Sequence, residues 1–152
     1  MAGSSSTRAA GPARTPVQLA ALVVGVVFLL VAILGFIPGI TTDYDTMKFA
    51  GHHSEAKLLG LFQVSILHNI VHALFGVAGI ALSRTVAGAR GFLVGGGIVY
   101  LVLWLYGLVI DHHSGANFVP LNNADNWLHL GLGLGMILLG LLAPPRRRPA
   151  HG

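Results

Sequence analysis

Two small groups of nitrogen-bearing side chains interrupt otherwise apolar stretches: His68, Asn69 and His72 in one, Asn126 and His129 in the other. A polar group in an apolar segment is costly unless it faces a partner. Imidazole offers two chemistries in such a place. A neutral ring nitrogen can be an axial ligand of a b-type haem, or it can hydrogen-bond the head group of a quinone. Asn69 and Asn126 would then orient the rings. His68, four residues before His72, is close enough on a helix to share a ligand with it. The cofactor-binding candidates are therefore His72, His129, Asn69, Asn126 and His68, with haem b or quinone as the candidate ligands. No catalytic residue is expected, because the chain has no nucleophile–base–orienter set, no phosphate-binding glycine loop after a strand and no carboxylate pair on one helix.

Steps of four, three, four, three and four connect Ser65, Asn69, His72, Gly76, Gly79 and Ser83, which places them on one helix face. Adding 57 to each number gives Asn122, Asn126, His129, Gly133, Met136 and Gly140, so Asn-x-x-His-x-x-x-Gly occurs twice. Gly25, Phe28, Ala32, Gly35 and Gly39 similarly match Gly97, Tyr100, Trp104, Gly107 and Asp111 with a shift of 72. His-His-Ser-x-Ala recurs at 52–56 and 112–116. This pattern predicts two tandem helical hairpins related by a two-fold axis along the membrane normal. The two histidine faces then point inward at one depth. That level holds only if the last helix begins early enough before His129.

The elements that carry these faces read as membrane spans. Of 152 residues, 54% are hydrophobic and 9% charged, far from the soluble average. Four apolar spans are expected at about 17–37, 58–82, 91–110 and 124–143. The fold class is thus all-α, a four-helix transmembrane bundle. It is preceded by a disordered tail over 1–15 and followed by a basic tail over 144–152. Residues 40–57, with Asp43, Asp45, Lys48, His52, His53, Glu55 and Lys57, read as a water-facing loop, and 83–90 as a polar turn. The tails and that turn carry Arg8, Arg14, Arg84, Arg90 and Arg146 to Arg148, against Lys48 and Lys57 on the other side. Both termini are therefore expected in the cytoplasm, in the plasma membrane.

The net charge of +4 is spread over tails and a short turn, so no nucleic-acid partner is expected. The partners are the lipid bilayer and, beyond it, a second copy or another membrane protein. With no cysteine, thiolate sites and disulfides are excluded. The histidine pairs at 52–53 and 112–113 could hold Zn²⁺ or Cu²⁺ with nearby carboxylates only if their loops converge. They read as solvated, and no metal site is expected.

Arg-Thr-Pro-Val-Gln-Leu-Ala (14–20), Phe-x-x-Ser-x-Leu-His-Asn-x-Val-His (62–72), Leu-Tyr-Gly (105–107) and Asn-x-Ala-Asp-Asn-Trp-Leu-His (122–129) resemble a known family. It is domain-of-unknown-function family 4383, small four-helix membrane proteins common in actinobacteria, and the likeness runs from about Arg14 to Leu142. It implies a multi-pass membrane protein and no activity. The leading expectation is a non-enzymatic structural or accessory membrane component whose His/Asn layer sets packing. The alternative is a haem- or quinone-binding redox protein using His72 and His129. A small transporter half-unit is a third reading, weakened by the lack of charge within the spans.

Overall fold

In the computed structural model, residues 13–142 are described; residues 1–12 of the expected N-terminal tail and the basic tail over 144–152 lie outside them. Four helices dominate: α1 (Pro16–Leu34), α2 (Ile66–Leu82), α3 (Val86–Val109) and α4 (Asn123–Leu142). α1, α3 and α4 are each long and apolar enough to cross a membrane, whereas α2 has 17 residues.

Helix starts follow local capping chemistry. Pro16 is preorganised for the first turn of α1, and Gln18 Oε1 accepts from both the Thr15 amide and hydroxyl at 3.1 and 3.0 Å. The Ser65 hydroxyl accepts from the His68 amide and starts α2. Thr85 does the same for α3 through Gly88. That helix begins five residues before the expected span, so the polar turn shrinks to Ser83–Thr85 and Arg90 lies within α3.

The span expected at 58–82 is corrected at its start. Residues Lys57–Leu58 and Phe62–Gln63 form strands β2 and β3, which pair antiparallel, and β1 (Thr41–Thr42) pairs with β2. The register sets Leu58 opposite Thr41 on one side and Phe62 on the other. A short apolar run does not by itself distinguish helix from strand. Here Leu59 and Gly60, with φ of 55° and 70°, turn the chain back. The fold is mostly helical, with a small three-stranded sheet in the first loop. The first loop is partly a folded unit: Ala56, Leu58 and Val64 are buried against Val31, Leu34, Ile40 and Met47.

α1 packs chiefly on α2, and α3 on α4, each pair antiparallel. Both pairs close through glycine. A Cβ on Gly25 would lie 2.9 Å from the Gly76 carbonyl, and one on Gly97 would lie 2.7 Å from that of Gly133. The backbones thus touch directly. At the terminal end Gln18 Nε2 donates to the Ser83 carbonyl at 3.1 Å, and Arg90 Nε to the Gly140 carbonyl at 3.0 Å. At the loop end, Asn69 fills the space beside Gly35, and Asn126 that beside Gly107. Each of these three contacts in the first hairpin maps onto its counterpart by adding 72 to the α1 residue and 57 to the α2 residue. The hairpins meet through a core that includes Phe28, Phe92, Leu93, Tyr100 and Met136.

Candidate ligand-binding site

Capping fixes the depth of the histidines. Ser65 precedes the first residue of α2, Ile66, and Asn122 precedes the first residue of α4, Asn123. Asn122 Oδ1 accepts from the Asp125 amide at 3.0 Å, as Ser65 accepts from His68. His72 and His129 are each six residues past the helix start, about 9 Å along the axis at the usual helical rise. The early start of α4 thus removes the condition on which their common register depended.

A chain of rings joins them. His72 stacks on Phe28 with centroids 5.5 Å apart, Phe28 stacks on Tyr100 at 5.4 Å, and Tyr100 meets His129 at 5.2 Å. His68 extends the chain, its ring 4.5 Å from that of His72. Two imidazoles that ligate one iron must converge on a single point. Here each instead lies against its own aromatic ring, and those two rings stack on each other. The residues present do not fit a haem held between His72 and His129.

The histidines line a cavity of about 320 Å³. Its walls are Val24, Val27, Phe28 and Val31 of α1 and Leu128 and Leu132 of α4, and Leu58 and Phe62 lie toward the loop end. Into this apolar space come His68, His72, His129 and Asp125. His68 and His129 are 5% and 3% exposed, so they are shielded from water. The Nδ1 atoms of His68, His72 and His129 are all buried and have no hydrogen-bond partner among the described residues. A cavity of this size with few polar groups suits a small apolar molecule whose polar atoms meet imidazole.

The asparagines occupy another place. Asn126 Nδ2 donates to the Gly107 carbonyl at 2.9 Å, and Asn69 is completely buried against Gly35. Neither is among the residues lining the cavity, so the structure does not bring them to the rings they were expected to orient. They sit between helices, where the side-chain amide fills the space a glycine leaves.

The histidine loops do converge. The Gly51 amide donates to the Phe118 carbonyl at 2.7 Å, and His52, His112 and His113 share a polar cleft of about 570 Å³ with Asp43, Glu55 and Lys57. His112 Nε2 is 2.8 Å from the Gly107 carbonyl. Among the described residues no group of three or more His, Asp or Glu side chains is placed to hold a metal ion.

Asp125 is a further residue of the cavity. It is 2% exposed, and its Oδ2 accepts from the Gln63 and Asn122 amides at 3.1 and 3.0 Å. Its distance from His68, 57 positions, was the available signal. Phe28 and Tyr100 carried an equivalent signal at 72 positions, but only as members of a periodic apolar span.

No curated protein and no solved structure matches the chain. A family model does, over residues 18–142, which include every residue of the cavity and both histidine faces. The chain therefore belongs to the family described as domain of unknown function, DUF4383.

Proposed function

We propose that this is a multi-pass plasma-membrane protein, with both termini cytoplasmic, that binds a lipid-soluble molecule of the quinone class in its histidine-lined cavity. In this reading two copies of a duplicated hairpin form a four-helix bundle. The asparagine tier fixes helix packing, which is the accessory, structural role. The histidines serve the ligand.

The observation that carries the reading is that three imidazoles, His68, His72 and His129, line one apolar cavity, and that their Nδ1 atoms have no partner among the described residues. A buried polar atom left unpaired costs about 1–3 kcal/mol. A quinone ring brings two carbonyl acceptors and no donor of its own. Imidazole N–H groups would satisfy the carbonyls, and the aliphatic walls would cover the ring edges. The three paired contacts of the two hairpins support the duplication, and the excess of Arg at the terminal end supports the orientation.

The test is saturable quenching of Trp104 and Trp127 fluorescence by a short-chain quinone in nanodiscs. The wild type is expected to saturate, and the triple substitution His68→Ala, His72→Ala and His129→Ala to weaken binding at least tenfold, about 1.4 kcal/mol, while the protein stays folded. Quenching that does not saturate, or that the triple variant leaves unchanged, would overturn the reading.

A further inference from the structure

We infer that the ligand carries a hydrocarbon tail that leaves the cavity sideways, between α1 and α4. This rests on the quinone reading and narrows it to a prenyl-tailed quinone resident in the bilayer.

The loop end of the cavity is covered by the sheet, although Leu59, which also lines it, is 67% exposed. Leu58 and Val64 are buried, and the sheet is tied to α4 by the Gln63 amide on Asp125 and by Asn122 Nδ2 on the Leu61 carbonyl at 2.8 Å. The side is different. α1 and α4 touch only sparsely, yet both line the cavity. Where their surfaces meet the outside, Val23 is 52% exposed, Val27 49% and Leu128 40%, all three lining the same cavity. An aliphatic slot between two helices, continuous with a pocket whose buried imidazoles await acceptors, has the shape and chemistry of a polar head with an apolar tail.

The second hairpin differs at the corresponding place. Duplication places Gly96 where the first hairpin has Val24, and Phe75 where the second has Leu132, by the shifts of 72 and 57. At Gly96 an added Cβ would lie 2.7 Å from the Phe75 ring and 2.8 Å from Met136 Cε. On that side an aromatic side chain fills the space. On the other side, Leu132 leaves it open as cavity.

The test compares a tail-less quinone with a long prenyl homologue in nanodiscs, using wild type and the substitutions Val27→Trp and Leu128→Trp at the mouth of the slot. Both positions are exposed, so helix packing should hold, as circular dichroism and melting would check. Wild type is expected to prefer the tailed ligand. Each tryptophan should weaken the tailed ligand at least tenfold more than the tail-less one. Equal loss for both ligands, or no loss for either, would overturn the lateral route and leave the quinone site standing. Failure of the wild type to bind either ligand would overturn both.

Discussion

Phe28 of α1 and Tyr100 of α3 stack with their centroids 5.4 Å apart and their planes 17° from parallel, and each carries one histidine on its other side. They are 72 residues apart and occupy matching positions in the two hairpins. The pair is therefore where the halves of the molecule meet. It also supplies the aromatic floor against which His72 and His129 rest.

Removing either ring should be costly. Phe28→Ala is expected to destabilise the protein by on the order of 3–5 kcal/mol, the usual range for an aromatic deleted from a core. Tyr100→Phe retains the ring and should remain within about 1.5 kcal/mol of wild type, since Phe28 fills the equivalent place without a hydroxyl. Thermal unfolding in detergent measures both. Similar losses for the two variants would remove the stack from its central role.

The glycines separate into two classes by what surrounds them. Gly25→Ala and Gly97→Ala push a methyl into the facing backbone and should each cost about 1–3 kcal/mol. Gly91→Ala and Gly95→Ala meet nothing within 4 Å and should change stability by less than about 1 kcal/mol, in either direction. Melting temperatures that failed to divide this way would contradict the glycine seam.

Leu132→Phe copies into the cavity the side chain that fills the counterpart space. It is expected to abolish quinone quenching at unchanged or higher melting temperature, because it fills a void rather than displacing a packed group. Retained binding in a folded variant would place the ligand elsewhere.

Asp125→Ala strands the Gln63 and Asn122 amides and should cost about 1–3 kcal/mol. Asp125→Asn keeps one acceptor oxygen and should recover much of that. Hydrogen exchange at the Gln63 amide would report the loss locally, and protection unchanged in the alanine variant would deny that Asp125 holds the sheet.

A chain without cysteine permits single-cysteine mapping of the proposed orientation. Cysteine at Glu55 or Gly115 should react with an impermeant maleimide on intact cells, and at Arg84 only after lysis. The reverse pattern would invert the topology.

The histidine faces were legible in the sequence because imidazole and amide side chains are conspicuous among leucine and valine, and because they recur. α1, α3 and α4 were legible from the length of their apolar runs. The start of α2 was not, since Leu58, Leu59, Leu61 and Phe62 are as apolar as any helix and only the backbone turn at Leu59 and Gly60 separates strand from span. The sequence left the asparagines two roles, packing or orienting the rings, for a different reason. Helical spacing puts Asn69 and His72 on one face, but which neighbour each meets depends on where Gly35 leaves room, and that is a property of two helices together. The cavity itself is a tertiary accident of the same kind, set by Phe75 and Leu132 differing at equivalent sites.

Only Ser83, Arg84 and Thr85 separate α2 from α3, and the Ser83 and Arg84 carbonyls are both held by Gln18. The junction of the two hairpins is thus clasped by the first turn of α1, so fraying at that turn would loosen both halves together.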